Sequence, residues 1–319
     1  NFYCLLESQR SKKCVAAILF QWNTVTEKDS GKPSLHCKTR MAFIGLFIVI
    51  IKWRRELLMI PDNHALMLFK FGEYKWIKQI QDGFISFACP GRYIDSAKRT
   101  GNNEQGDIDE GIFARLKKND SRIVEWSKKL CGDLEIINDG DYVKLRRKST
   151  YYIPTFCFYT LKADDLLKYE KLTLGTQHIP FHPDDRMFTY FSSCSQIANV
   201  LSNAYVYSQL VIQPAPFKYS LMEHLIMNGY DFKMGSINYS EFDKEEFFIE
   251  PTNKREELFY KFPRFSYQHE ARVCLYNTKL NDIYDRLNIK IRKLPDKDMM
   301  LVRGITWYCK MTATIVEKN

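Results

Sequence analysis

Residues 265–276 read FSYQHEARVCLY, and they hold the side chains best placed to do chemistry. As a strand, this stretch puts Tyr267, His269, Ala271, Val273 and Leu275 on one face and Gln268, Glu270 and Arg272 on the other. An amide and a carboxylate two residues apart on a strand project side by side into a cleft. Such a carboxylate can hold a ribose hydroxyl and stabilise the oxocarbenium-like charge that develops as a glycosidic bond breaks. The amide can orient the nucleophile, and Arg272 can keep Glu270 ionised by an opposite charge. A plainer arrangement fits the same residues: Glu270 pairs with Arg272 or with a lysine on a neighbouring strand, and the polar face meets water. A buried Gln268–Glu270 pair requires a ligand or partner to offset its cost; an exposed pair requires nothing.

Three other clusters carry candidate chemistry. HIPFHPDDR at 178–186 brings together His178, His182, Asp184 and Asp185, but Pro180 and Pro183 forbid the helix that would put both histidines on one face. A polar loop is expected there, with no metal. GNNEQGDIDEG at 101–111 follows neither a calcium-loop nor a phosphate-loop pattern. It reads as a mobile surface loop or as a flap beside a ligand cleft. KLRRKS at 144–149 is the densest basic cluster, with Tyr142, Tyr151 and Tyr152 around it. Lys144, Arg146, Arg147 and Lys148 would suit a nucleic acid or a nucleotide phosphate; the alternative is a solvated strand edge protected by charge.

The elements that must position these groups begin at Leu66. LMLFKF reads as a strand, EYKWIKQIQ as an amphipathic helix with Trp76, Ile77 and Ile80 on one side, and FISFA as a second strand stopped by Pro90-Gly91. Helices are expected over 93–98, 121–130, 163–172, 217–230 and 280–287, and in REELFYKF at 255–262. Strands are expected over GIFARL, DYVKLRRKSTYYIPTFCFYTL (two, or one bent at Pro154), QLVIQ, MGSINYS, FSYQHEARVCLY and the C-terminal end. Residues 174–190 look loop-like. Strands interspersed irregularly with helices imply an α+β fold with twisted, mostly antiparallel sheets.

Of 319 residues, 45% are hydrophobic and 27% charged, which excludes a disordered chain. The net charge is +9, but residues 1–66 hold 10 Lys/Arg against 5 Asp/Glu, so most of the excess sits there and the rest is a weak polyanion binder. Nine scattered cysteines without C-x-x-C exclude a disulfide scaffold or zinc module and imply a reduced, cytoplasmic protein. The apolar run Met41–Ile51 is too short to span a bilayer and reads as a buried strand or helix. Residues 1–65 otherwise show no sustained period. They are expected to be a poorly ordered leader or translated upstream sequence, with one α+β domain over 66–319.

In motif order the chain resembles the ADP-ribosyltransferases. These carry an Arg or His on a first strand, a Ser-Thr-Ser or Tyr element on a second, and Glu-x-Glu or Gln-x-Glu on a later one. Here Leu68-Phe69-Lys70 stands first, Ser86 or Ser149-Thr150-Tyr151-Tyr152 lies between, and Gln268-His269-Glu270 comes late. LFKF followed by a helix, a G-x-I-x-F strand and K-F-P-x-F-S-Y-x-x-E-x-R also resembles a prokaryotic family suspected of this fold and found near phage-defence and abortive-infection genes. The resemblance implies an NAD-dependent transferase, a toxin or defence effector that modifies a protein or nucleic acid. It assigns Glu270 to the nicotinamide ribose and Gln268 to the acceptor. Lys70 would contact ribose or phosphate, Ser149 or Tyr152 would line the nicotinamide pocket, Ser86 would also bind the cofactor, and Arg272 would flank Glu270. Lys70 departs from the family pattern, since it supplies charge without the planar geometry of Arg or His. The competing expectation is a non-enzymatic module that binds nucleic acid or protein on a degenerate form of the fold.

Overall fold

Aromatic and branched aliphatic runs become strands here, and short stretches with an apolar residue every three or four positions become helices. The computed structural model describes the backbone of residues 14–20, 47–53, 65–101, 106–162, 175–181, 207–240, 246–303 and 309–317. Helices and strands alternate irregularly and the sheets are mostly antiparallel, which is the expected α+β class. Among the described residues no helix is long and apolar enough to cross a membrane.

The chain divides into two compact units. The first comprises residues 1–66, 162–183 and 306–319. Its described part is an antiparallel four-stranded sheet in the order Phe47–Trp53, Cys14–Phe20, Cys309–Glu317, Gly175–Phe181. The run at 41–51 thus contributes a strand from Phe47 onward. Gly175–Phe181, expected to be loop, is instead an edge strand. Pro180 stands opposite Lys310, and an edge is where a missing N–H is tolerated. The candidate helix at 163–172 and residues 182–186 lie outside the described residues.

The second unit, residues 67–161 and 184–305, carries the candidate site. Its central sheet has six strands: β1 (Ala65–Glu73), β2 (Thr155–Lys162), β3 (Tyr207–Ile212), β4 (Phe232–Ser236), β5 (Glu270–Leu275) and β6 (Met299–Arg303), in the order β4-β5-β2-β1-β3-β6. A second, antiparallel sheet joins Phe247–Phe248, Ile112–Lys117, Tyr142–Arg147 and Leu134–Asp139. Four helices can be numbered in chain order: α1 (Tyr74–Gln81), α2 (Pro90–Thr100), α3 (Ser121–Leu130) and α4 (Pro214–Met227). Phe217 of α4 meets Phe158 of β2 edge to face at 5.1 Å, and Trp126 of α3 packs with Phe113, Leu116, Val143 and Leu145 of the second sheet.

Local chemistry moved several expected boundaries. Helix α2 starts at Pro90 rather than Tyr93, because proline is preorganised for the first helical position. Asp120 caps α3, its carboxylate accepting from the Arg122 N–H at 2.8 Å. Ile77 and Ile80 of α1 are buried while Trp76 is exposed. REELFYKF folds as a short 3-10 turn, Glu256–Phe259, followed by the strand Tyr260–Lys261. Residues 281–284 are bends and turns, and no helix forms over 280–287.

One close approach fixes the loop that feeds the site. A Cβ on Gly106 would lie 2.5 Å from the Tyr93 carbonyl oxygen and 2.7 Å from the Ala97 nitrogen, both backbone atoms of α2. Gly106→Ala is expected to cost about 1–3 kcal/mol through overpacking. The loss should appear as a lower urea midpoint at an unchanged denaturant slope.

Candidate active site

The strand expected over 267–276 starts later. Pro263–Gln268 is a 3-10 helix, His269 turns in the left-handed region at φ 41°, and β5 begins at Glu270. Gln268 and Glu270 are therefore not strand neighbours, which corrects that reading. They are brought together by a third residue instead. Lys261 Nζ donates to Gln268 Oε1 at 3.1 Å and to Glu270 Oε2 at 2.6 Å. Lys261 is placed by the parallel pairing of Tyr260–Lys261 with Asn238–Tyr239, which also lets the Tyr239 hydroxyl accept from the Glu270 N–H at 2.9 Å.

On β5, Glu270 lies opposite Tyr159 of β2 and Arg272 opposite Cys157. Directly opposed residues of antiparallel strands share a face, so all four project together. They line a cleft of about 70 Å³ with Lys70, Asp107, Glu110, Lys261 and Gln268. Arg272 Nε and Nη2 donate to Glu270 Oε1 at 2.9 and 2.6 Å. Its Nη1 bonds Glu110 and the Leu258 carbonyl. Glu110 and Glu270 thus share two cations, Arg272 and Lys261, in a buried quartet of balanced charge.

Burial opposes charge on Glu270, but Arg272 and Lys261 outweigh it and hold its carboxyl far below the usual range. Burial likewise works against the Lys261 ammonium, and Glu270 and Glu110 override it. Burial, and then the Glu270 charge, push the Cys157 thiol far up, and burial pushes Cys274 up to about 12. Neither is a thiolate nucleophile at neutral pH.

Asp107 behaves differently. Burial, then the Glu110 charge, push its carboxyl up to about 7; Lys261 acts against them and Asp109 with them. The native protein therefore binds a proton that the unfolded chain releases near pH ~4. Stability falls as pH rises from there through about 7. Glu270, whose carboxyl is depressed, acts in the opposite sense: it stabilises at pH above ~4.3 and that stabilisation is lost below. Urea midpoints measured from pH 5 to 8 should decline in the wild type, and Asp107→Asn should flatten the decline.

The loop at 101–111 is not a surface excursion in its described part. Asp107 and Glu110 are buried in the cleft wall. KLRRKS supports this wall. Lys144 Nζ donates to Asp109 Oδ1 at 3.0 Å, and Arg146 Nη2 donates to the Ile108 carbonyl at 2.6 Å. Arg147 pairs with the fully buried Glu257 at 2.5 Å. Of the four cations proposed for nucleic acid, Lys148 is exposed while Arg146 and Arg147 are buried. The run holds an internal turn rather than presenting a basic face.

Of the residues singled out in the sequence, Lys70, Gln268, Glu270 and Arg272 meet in the cleft. Ser86, Ser149 and Tyr152 do not line it. Ser86 sits on the strand Phe84–Phe87, Ser149 Oγ donates to Asp133 at 2.6 Å, and the Tyr152 carbonyl accepts from the Leu280 N–H. Sequence reasoning did not assign Glu110 and Lys261 to the site; the signal available was a carboxylate inside the 101–111 stretch and a lysine just before 265–276. Among the described residues no group of three or more His, Cys, Asp or Glu could hold a metal ion.

No protein-family model matches the chain, and it matches no curated protein and no solved structure. What the cleft does must follow from its own residues. They supply an ionised carboxylate with acceptor capacity left over, a neighbouring amide, and a lysine outside the quartet.

Proposed function

We propose that the cleft is an ADP-ribosyl-transfer site on an ADP-ribosyltransferase-like fold, with NAD as the donor substrate. One observation carries the reading: Lys70 and Glu270, far apart in the sequence, line the same cleft with Gln268. Glu270 accepts hydroxyls of the nicotinamide ribose and stabilises the positive charge that develops as the bond to nicotinamide breaks. Arg272 keeps it ionised at every working pH. Gln268 orients the acceptor, a protein or nucleic acid, and Lys70 contacts ribose or phosphate. A volume of about 70 Å³ is well short of the ~300–1,000 Å³ of sites that enclose whole ligands. Only the reacting ribose is held inside, and the rest of the dinucleotide lies outside it. Free thiols at Cys89, Cys131, Cys157 and Cys274 are consistent with work in the cytoplasm, as a toxin or defence effector.

The closed pairing of Glu270 favours a second reading, in which the quartet is structural and the protein a non-enzymatic binding module. Incubating the full chain with NAD labelled in the adenylate half, and following nicotinamide release and label transfer to lysate, separates the two. Release supports the transferase; a folded protein that neither binds nor turns over NAD supports the module.

A further inference from the structure

Helix α4, PAPFKYSLMEHLIM, is apolar on two sides. One side holds Phe217, Ser220, Leu221 and Leu225, all buried, and Phe217 packs on Phe158 of the central sheet. At about 3.6 residues per turn, Ala215, Tyr219, Met222 and Ile226 form a second line nearly opposite that face. Tyr219 is 72% exposed and Ile226 62%, Ala215 is exposed, and Met222 is half-buried. A surface helix normally turns polar residues outward, so an apolar line there marks a contact surface. Its spacing of four, three and four residues is that of a coiled-coil seam, with Ala215 and Met222 in d positions and Tyr219 and Ile226 in a positions. Exposed Lys218 and Glu223 flank the line, one on each side, and among the described residues neither forms an ion pair.

We infer that this face of α4 docks on the same face of a second copy of this chain, with the two helices running parallel. The inference does not rest on NAD chemistry. Charge selects both the occupant and the direction. In a parallel pair, Lys218 in a g position lies beside Glu223 in the following e position of the other copy. Two reciprocal ion pairs then close the flanks of the seam. An antiparallel pair would set Lys218 beside Lys218 and Glu223 beside Glu223, and like charges so placed repel. Ile226, β-branched in an a position, suits a two-stranded seam. Packing of its inner face already orders α4, so association carries no cost of helix nucleation. The helix is 14 residues long, about two heptads, so the contact is short and the dimer reversible.

Sedimentation equilibrium of the full chain over a wide concentration range should show monomer and dimer in exchange. Ile226→Asp and, separately, Tyr219→Lys should abolish the dimer with an unchanged circular dichroism spectrum, because neither side chain enters the core. Lys218→Glu should weaken dimerisation by about tenfold, and adding Glu223→Lys to it should restore the wild-type constant. A dimer that survives both apolar substitutions, or that the charge exchange fails to rescue, would overturn the inference. A monomer at every concentration overturns it too. Peroxide then tells what the face serves instead: a spared Met222 means cover by another segment of this chain, and a readily oxidised one means a face open to a different protein. Nicotinamide release measured on the same proteins reports separately on the transferase reading.

Discussion

Arg272→Met should unfold the second unit at markedly lower denaturant and temperature, a loss of about 3–5 kcal/mol. The guanidinium is 2% exposed and bonds Glu270, Glu110 and the Leu258 carbonyl. Methionine matches much of its bulk, so a cavity is a minor part of the cost. The main part is electrostatic: two buried carboxylates are left with Lys261 alone, 2.6 Å from Glu270 and 3.7 Å from Glu110. At roughly 2–4 °C per kcal/mol for a unit of this size, the melting temperature should drop by about 6–20 °C. The same substitution in a background of Glu110→Gln, Glu270→Gln and Lys261→Met should cost far less, because no uncompensated charge remains. An equal cost in both backgrounds would show that packing, not charge pairing, holds Arg272 in place. Urea unfolding of the four proteins gives the answer.

The legible parts of this molecule are those in which local chemistry and tertiary context agree. Ala65–Glu73 and Ile112–Lys117 are rich in aromatic and aliphatic residues and became strands, and α1 kept its predicted start and end nearly to the residue. Illegible parts arise where alternation misleads. FSYQH alternates like a strand, yet Pro263 opens a 3-10 turn and His269 adopts positive φ. The site divides the same way. Glu270 and Arg272 share one side of β5 and could be paired from spacing alone. Lys261 and Glu110 reach them only through a two-residue strand and a glycine-flanked loop, and no local period encodes those. KLRRKS shows the converse: a basic run that looks like a surface is half interior, because Arg146 finds the Ile108 carbonyl and Arg147 finds Glu257.

Glu270→Gln is expected to cut nicotinamide release by about 10²–10³-fold, the scale seen when one transition-state stabiliser is removed, in a protein that still folds but melts at a lower temperature because one charge of the quartet is gone. Glutamine is isosteric and can still accept from Arg272 and Lys261, so the quartet's geometry survives better than with alanine. What disappears is the negative charge that the proposed reaction sets against the oxocarbenium-like ribose. Circular dichroism and a melting curve on the same sample check that the loss is not unfolding. Gln268→Ala should behave differently. On the proposed assignment of Gln268 to the acceptor, hydrolytic release of nicotinamide should persist while transfer of the label to a macromolecule falls. The pH profile adds a further constraint. Glu270 stays ionised across the working range, so an inflection in rate near pH 7 that vanishes in Asp107→Asn is assigned to Asp107. If Glu270→Gln folds and releases nicotinamide at the wild-type rate, the carboxylate is a structural ion and the cleft's chemistry lies elsewhere. Lys70, which lines the cleft outside the quartet, would then be the residue to pursue.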